Sequence, residues 1–569
     1  MFLMAAVLVM GSCGNDEWIS KNSGGSDSGG GSTEKPQKTT IMVYGVGGAT
    51  LDRLLLRSFV EMIPYGATDE VNVVYEYKLS EDFQIDGDYS NADGIMRWDL
   101  KYQDKSKYST PTNKSVSELL NMLKGIHYGE GDEDNICCKD SLKQFINDAA
   151  KIYPADRYVL ILCDHGGGWR VNEDGLYNAT GSTEMSPKGI VYDDNDGKNG
   201  NSWYMTTTMI RDAIKASNVK KVDALITYAC NMGQWEVLSD WKDCAKYVVA
   251  SQEVLNGLTL SNLLQLYKNA SLSHEEILHK YCDEVMTWRE DTELDPYLWY
   301  AYVNDLGCYD MTQVSTMEGI IKEITTFMKN KESVNIEDED NPDYTVREIF
   351  EQAVTEAIVA SAGYVVFGPS QQEIDAFEKF EPYLTKEYGV TDYKYGDYYS
   401  VRGDFIRAFQ DTHQDLFKQL DVNDIVFDVL ERKACTSLSF ADYMKCVSKC
   451  LENEGQTELK TQWDALYNKY MTALKQMAYI TMTHEETGDP YVQCSPSITG
   501  YSFNADGWNK TGDNRSPMGT YDRETMLKYY KASTFDKQTG WSEWLQLNRI
   551  NPNVLSNDSR MEIYYRKNK

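Results

Sequence analysis

Two mostly apolar runs constrain the fold more than any other feature of this chain of 569 residues. The first, residues 158–163, reads YVLILC, and the second, residues 222–229, reads VDALITYA. Short runs of this kind, with little alternation between polar and apolar residues, are typical of strands that are buried on both faces of a parallel sheet. Each run therefore predicts a central strand of an α/β domain.

Further strands and helices alternate around these two runs. Residues 40–44 and 71–77 are two more apolar runs, and large apolar side chains recur at helical spacing between residues 51 and 59. Strands that alternate with helices predict a mostly parallel sheet covered by helices on both faces. The expected fold class is therefore α/β, with this sheet as its core.

Four segments are predicted along the chain. Residues 1–12 form a signal peptide, residues 13–38 a flexible tether, residues 39–260 the α/β core, and residues 261–569 a mainly helical region. The amphipathic stretches that predict helices in this last region are 274–290, 313–329, 345–361, 403–420 and 457–480. No internal repeat is visible in the sequence, so a repeat array is not expected.

The N-terminus has the pattern of an export signal. Residues 2–10 are apolar and are followed by Gly11, Ser12 and Cys13. The run is much shorter than the ~20 apolar residues of a membrane-spanning helix, and its length fits the apolar part of a secretory signal. Small residues directly before a cysteine resemble a bacterial lipobox, which predicts lipid attachment at Cys13 and a cell-envelope location, at the outer membrane. An ordinary cleaved signal with an incidental cysteine is the alternative.

The residues after Cys13 have the composition of a flexible linker. Residues 20–38 read SKNSGGSDSGGGSTEKPQK and lack large apolar side chains, so they predict a flexible spacer.

The formal net charge of the chain is −32. An acidic protein repels phosphate backbones, so nucleic-acid binding is not expected. The simpler interpretation is that the acidic surface keeps the protein in solution.

Two residues that can carry chemistry follow the two central strands. His165 lies in the segment DHGGGW at 164–169, and Cys230 directly follows residues 222–229. Active residues of parallel sheets gather beyond the carboxyl ends of the strands. Taken alone, a histidine or a cysteine at such a position is more often structural. Together they predict a thiol nucleophile with an imidazole base.

The two motifs together resemble the clostripain family of cysteine peptidases, which share a caspase-like fold. The resemblance rests on HGGGW at 165–169 and ACNMG at 229–233, each at the end of a strand. It implies that His165 is the general base and acid, that Cys230 is the nucleophile, and that the backbone N–H groups of Gly166 and Cys230 form the oxyanion hole. It also implies cleavage of peptide or protein substrates through a thioester, no required cofactor, and a C-terminal region that completes the peptidase unit.

One position departs from the family pattern. The family usually has an aspartate two residues before the nucleophile, where it helps to bind a basic P1 side chain, and this chain has Tyr228 there. A tyrosine does not supply the fixed negative charge that a guanidinium or ammonium group needs. We therefore expect a non-basic or relaxed P1 preference, unless another pocket carboxylate such as Glu253 compensates.

Two segments contain residue types that can bind metal ions. Asp193, Asp194 and Asp196 form an oxygen-rich loop that could hold calcium, which some clostripain-like enzymes require, although the ligand spacing is not that of an EF-hand. A solvated turn is the alternative for this loop. His274 and His279 lie five residues apart in HEEILH, whereas the zinc-protease helix needs a spacing of four, so a zinc site is not predicted.

Two other functional classes remain open. The first is a catalytically weak caspase-like envelope lipoprotein that binds peptides or protein partners, and Tyr228 is the residue that favours it. The second is a solute-binding lipoprotein, which requires two matching α/β lobes that the sequence does not contain. The presence of both His165 and Cys230 favours the peptidase.

Overall fold

Nine strands of the described residues form one sheet in the computed structural model of the protein. All of its strands come from one compact unit, Gln37–Lys569. The residues that the structure describes are 38–47, 51–79, 95–111, 114–127, 136–169, 176–177, 189–193, 202–252, 255, 259–291, 306–336, 344–360, 379, 414–420, 437–480, 496–499 and 523–547.

The strands are short and are numbered in chain order. They are β1 (Thr39–Val46), β2 (Val71–Lys78), β3 (Ile95–Asp99), β4 (Gly125–His127), β5 (Arg157–Cys163), β6 (Leu176–Tyr177), β7 (Ile190–Asp193), β8 (Ser202–Met205), β9 (Val222–Tyr228), β10 (Ala245–Ala250), β11 (Gly307–Asp310), β12 (Ser437–Ser439), β13 (Ala478–Ile480) and β14 (Ser497–Thr499). The order in the main sheet is β13-β11-β10-β9-β5-β1-β2-β3-β4, and β6-β8-β7 and β12-β14 form two small sheets.

The helices are numbered in the same way. They are α1 (Asp52–Val60), α2 (Val116–Leu120), α3 (Lys139–Ile152), α4 (Thr207–Ala216), α5 (Trp235–Trp241), α6 (Leu260–Tyr267), α7 (His274–Asp291), α8 (Val314–Lys331), α9 (Val346–Ala360), α10 (Gln414–Gln419), α11 (Phe440–Asn453), α12 (Thr457–Met477), α13 (Arg523–Ala532), α14 (Thr534–Thr539) and α15 (Trp541–Leu547).

The central strands of the main sheet are parallel, and the pairs at both edges are antiparallel. Strands β10, β9, β5, β1 and β2 pair in parallel, while β3 and β4 at one edge and β11 and β13 at the other pair antiparallel. Parallel strands of this kind need helical crossovers and burial on both faces. This arrangement confirms the prediction of an α/β fold.

Alternate side chains of β5 enter two separate apolar cores. Leu160 and Leu162 belong to the larger core, which also contains residues of α8, α11 and α12. Val159, Ile161 and Cys163 belong to the other core, with residues of α1, α6 and α7. Since successive side chains of a strand point to opposite faces, an all-apolar strand is the expected result of two covered faces.

The sheet continues beyond the predicted boundary at residue 260. Strand β11 pairs with β10, and β13, which lies far along the chain, pairs with β11. The described residues of the C-terminal region are mainly helical. Their helices at 314–331 and 457–477 overlap the predicted stretches 313–329 and 457–480, whereas residues 478–480 form β13. Residues 403–413 of another predicted stretch lie outside the described residues.

The predicted signal peptide and nearly the whole tether, including Cys13, lie outside the described residues, which begin at Lys38. Among the residues that are described, no helix combines the length and the apolar character needed to cross a bilayer.

Candidate active site

Two neighbouring parallel strands bring His165 and Cys230 to the same edge of the sheet. Cys163, the last residue of β5, pairs with Tyr228, the last residue of β9, so His165 and Cys230 each lie two residues beyond a paired position. The backbone N–H of Asp164 donates to the Tyr228 carbonyl at 3.2 Å and extends this pairing by one step. Since paired strands lie about 4.8 Å apart, the two segments leave the sheet side by side.

Gly166 lies directly against the backbone of Cys230. A Cβ atom at residue 166 would lie 2.1 Å from the Cys230 carbonyl oxygen and 2.9 Å from the Cys230 nitrogen. No side chain fits into this space, so the first glycine after His165 is required by the approach of the two backbones. The histidine loop (residues 164–169) and the cysteine turn (residues 229–233) are therefore packed together.

Hydrogen bonds to the segment after β10 hold the turn that carries Cys230. Asn231 has a φ of 59°, a conformation that asparagine tolerates better than most residues. The N–H of Gly233 donates to the Ser251 carbonyl at 2.7 Å, beyond the end of β10. The backbone N–H of Leu255 donates to Cys230 Sγ at 3.4 Å. A hydrogen bond to sulfur favours the thiolate, which is the nucleophilic form of cysteine.

Cys230 differs from most of the described cysteines in its exposure. Six of the nine described cysteines are buried, whereas Cys230, like Cys138 and Cys446, is half-buried. Burial raises the pKa of Cys163, and the charge of Asp164 adds to the rise. Burial also raises the pKa of Cys308. A buried thiol with a raised pKa is a poor nucleophile, so Cys163 and Cys308 are poor candidates for a reactive cysteine.

A second strand supports the middle of the histidine loop. The N–H of Gly167 donates to the Gly189 carbonyl at 2.8 Å, next to β7. Strand β7 is tied to the main sheet by an ion pair of 2.5 Å between Lys78 Nζ and Asp193, whose side chains are 3% and 1% exposed. Removing one partner of such a buried pair leaves an uncompensated charge, so the pair fixes β7 in place.

The end of the histidine loop is held by a side chain from the cysteine segment. The backbone N–H of Trp169 donates to Gln234 Oε1 at 3.1 Å. The Trp169 ring makes an edge contact with Tyr530, with ring centroids 4.7 Å apart. The Tyr530 hydroxyl donates to Glu236 Oε1 at 2.8 Å. The histidine loop, α5 and α13 are thus joined through these side chains.

The structure places Tyr228 in the second apolar core. Its side chain is 4% exposed, and the Ser58 hydroxyl of α1 donates to the Tyr228 hydroxyl at 3.5 Å. Its ring belongs to the same core as Ile226. The position that carries an acidic residue in the family pattern is therefore filled here by a ring that is packed into the protein. Glu253, the other predicted pocket residue, lies outside the described residues.

Of the three predicted calcium ligands, the structure describes only Asp193. Its carboxylate is bound to the buried ammonium group of Lys78. Asp194 and Asp196 lie outside the described residues. Within the described part of the chain, no group of three or more His, Cys, Asp or Glu side chains has a metal-binding arrangement.

Some residues of the site were not found from the sequence. Gln234 and Leu255 contact the two motifs, but neither residue type is rare in the chain or carries a chemical motif. Lys78 follows an apolar run, a position that indicates a solvated strand end rather than a buried ion pair. The spacing of Gln234, four residues after Cys230, was the available signal for its role.

A half-buried thiol and a histidine beyond the carboxyl ends of adjacent parallel strands are the arrangement that an enzyme with a cysteine nucleophile and a histidine base requires. The model of the clostripain family, Peptidase C11, matches residues 53–489. The chain therefore belongs to the clostripain family of cysteine peptidases.

Several characterised proteins are similar to this chain. Clostripain from Hathewaya histolytica is 25% identical over 328 residues, which are 52% of this chain and 57% of that protein, so the chain spans little more than half of its relative. A secreted C11 cysteine protease from Bacteroides thetaiotaomicron, iotapain, is 14% identical with a TM-score of 0.35, over 52% of this chain and 75% of the other. An inactive zymogen C11 protease from Parabacteroides distasonis is 12% identical with a TM-score of 0.43, over 88% and 97%.

Proposed function

We propose that this protein is a cysteine endopeptidase in which Cys230 and His165 cleave peptide bonds by acyl transfer. The observation that carries the proposal is the contact of Gly166 with the Cys230 backbone, where a Cβ atom would lie 2.1 Å from the Cys230 carbonyl oxygen. This contact holds the histidine loop against the cysteine turn in a chain that belongs to a family of cysteine peptidases.

The proposed reaction has two stages. His165 accepts the thiol proton of Cys230, and the thiolate attacks the peptide carbonyl carbon. The N–H groups of Gly166 and Cys230 stabilise the resulting oxyanion, and His165 protonates the amine as the carbon–nitrogen bond breaks. His165 then takes a proton from water, which attacks the thioester and releases the acid and the Cys230 thiol.

We propose a non-basic or relaxed P1 preference for the same site. The support is the burial of Tyr228, which is 4% exposed and lies where the family pattern has a carboxylate. Without that fixed charge, an Arg or Lys side chain loses its strongest partner in the pocket.

We also propose that the protein is a lipoprotein of the cell envelope, at the outer membrane, anchored through Cys13. The support is the apolar run that ends in Gly11, Ser12 and Cys13. Metabolic labelling with an alkyne fatty acid tests it: label is expected on the full chain and not on Cys13→Ala. Equal labelling of the two proteins would refute the anchor.

Hydrolysis of a fluorogenic peptide library with all P1 residues tests the peptidase. The chain from Lys38 onwards is assayed beside Cys230→Ala. The matched control is Cys244→Ala, because Cys244 is a buried thiol whose backbone carbonyl accepts the N–H of Val222 at the start of β9, the opposite end from Cys230. We expect activity in the wild type and the control and a loss of at least ~10³-fold in Cys230→Ala.

The same assay separates the alternatives. Runs with added calcium and with a chelator show whether the loop at Asp194 and Asp196 matters for activity. A folded wild type that cleaves no peptide under either condition, but binds peptides from the library, would replace the peptidase with the peptide-binding lipoprotein.

A further inference from the structure

Gln234 is the side chain that bridges the histidine motif and the cysteine motif. It lies four residues after Cys230, and its Oε1 accepts the backbone N–H of Trp169, four residues after His165, at 3.1 Å. The side chain is 4% exposed, so this hydrogen bond is shielded from water. A buried backbone N–H without a partner is unfavourable, which makes the amide oxygen important for the loop.

The histidine loop needs such a support because of its composition. Gly166, Gly167 and Gly168 separate His165 from Trp169, and glycine has the largest conformational freedom of any residue. Gly168 has a φ of +77°, and a Cβ atom there would lie 2.4 Å from the amide atoms of Gln234. The loop therefore passes over the Gln234 amide in a conformation that only glycine adopts easily.

Gln234 is itself held firmly in the cysteine segment. It is the residue before α5, with an extended backbone, and it forms a parallel bridge with Ser497 of β14. Its neighbour Gly233 accepts the Ser497 N–H at 3.0 Å. Because this backbone is fixed, the Gln234 side chain holds the loop that carries His165 in a defined position relative to the cysteine turn.

We infer that Gln234 is a positioning residue for the reaction, which sets the placement of the His165 imidazole relative to the Cys230 thiol. The inference rests on the proposed peptidase function. Through the Trp169 N–H, the Gln234 amide fixes the far end of a loop whose near end is fixed by β5. A displacement of about 1 Å between reacting groups lowers a rate by roughly 10²-fold, so loss of the amide reduces turnover more than binding.

Two variants of Gln234 test this role in the full chain. Gln234→Met keeps the length and volume of the side chain but has no acceptor for Trp169, whereas Gln234→Glu keeps an acceptor oxygen. Thr207→Val is the control, because it removes a buried hydrogen bond of 2.6 Å to Asp240 of α5 without contacting the histidine loop.

Three readouts separate positioning from folding. These are kcat and KM for the best library peptide, the thermal midpoint, and the rate at which iodoacetamide alkylates Cys230 as a function of pH, followed by mass spectrometry.

For Gln234→Met we expect kcat to fall by roughly 10²-fold with KM changed less than about 3-fold. The midpoint of the alkylation profile should rise toward the ~8.5 of an isolated cysteine. Gln234→Glu should restore kcat to within about 10-fold of the wild type, and Thr207→Val should leave both kcat and the alkylation profile unchanged.

A folded Gln234→Met protein with wild-type kcat and an unchanged alkylation profile would overturn the inference. So would a loss of kcat that merely follows the unfolded fraction. The alkylation profile needs no peptide cleavage, so it reports on His165 and Cys230 even if the proposed function fails. A wild type that cleaves no peptide therefore contradicts the peptidase, and an unmoved profile contradicts the role of Gln234.

Discussion

Glycine at position 166 allows the histidine loop and the cysteine turn to approach each other closely. In Gly166→Ala the new Cβ would lie 2.1 Å from the Cys230 carbonyl oxygen, so one of the two backbones must move. We expect peptidase activity to fall by at least about 10²-fold and the free energy of unfolding to fall by about 1–3 kcal/mol. Peptide hydrolysis and urea denaturation measure the two effects.

Gly319→Ala is the control for this substitution. Gly319 lies in α8, and a Cβ atom there would have no neighbour within 4 Å. Alanine is favoured over glycine in a helix, so this variant should keep full activity and gain about 0.5–1 kcal/mol of stability. Wild-type activity in Gly166→Ala would show that the two motifs are not in contact in solution.

Position relative to the strands made His165 and Cys230 predictable. Each directly follows a buried strand, and the structure places both at the carboxyl edge of adjacent strands. Gln234 was not predictable in this way, because its contact with Trp169 depends on the three-dimensional course of a glycine loop. A local sequence pattern predicts which residues follow neighbouring strands. It does not predict which side chain from another segment supports the loop that these residues form.

At the level of the elements, α7 carries two histidines in environments that disfavour their charge. Burial, assisted by the charge of Arg157, lowers the pKa of His274 to about 3, and burial lowers the pKa of His279 to about 4. His274 Nε2 shares a hydrogen bond of 2.9 Å with the Tyr267 hydroxyl, and the His279 ring stacks on Tyr479 with centroids 3.9 Å apart.

These histidines predict a loss of stability in acid. An unfolded histidine takes up a proton near pH 6.5, whereas the folded protein leaves His274 neutral down to about pH 3. Its contribution is therefore complete above pH 6.5 and is lost as the pH drops from 6.5 toward 3, which lowers the free energy of unfolding by at most about 1.4 kcal/mol per pH unit for this one histidine. Urea denaturation at pH 7.5, 6.0 and 5.0 measures this slope.

The variant His274→Gln removes one of the two titrating groups. Its free energy of unfolding should fall less steeply between pH 6.5 and 5.0 than that of the wild type, and His279→Gln should show the same change independently. Slopes identical to the wild type in both variants would mean that these histidines titrate in the folded protein as they do in the unfolded chain.

Long apolar elements were predicted more successfully than short ones. Strands β5 and β9 were recognised because both faces are buried. Strands β11 and β13 were not, although they extend the main sheet. Strand β13 has only three residues, Ala478–Ile480, and its conformation comes from pairing with a strand far away in the sequence, which local propensity does not reveal.

At the scale of the whole molecule, the C-terminal helices belong to the same core as the central sheet. Trp541 of α15 is 1% exposed and lies in the larger apolar core. Its ring makes edge contacts with Phe440 and Tyr443 of α11. The described residues of the C-terminal region thus share one hydrophobic core with the strands.

Trp541→Ala tests this shared core. We expect the free energy of unfolding to fall by about 3–5 kcal/mol, because the substitution leaves a large buried cavity. Glu543→Gln in the same helix is the control: its ion pair with Lys329 joins side chains that are 48% and 57% exposed, so its loss should cost less than about 1 kcal/mol. Equal effects of the two variants, measured by denaturation, would show that α15 is not part of the core.

The proposed reaction passes through one covalent intermediate, an acyl group on Cys230. Rapid acid quenching of the wild type with a reactive peptide ester, followed by mass spectrometry of the digest, detects that intermediate directly. The proposed reaction predicts an acyl group on the peptide that contains Cys230, no adduct in Cys230→Ser, and much slower adduct formation in His165→Ala. Turnover without an adduct, or an adduct on another cysteine, would contradict it.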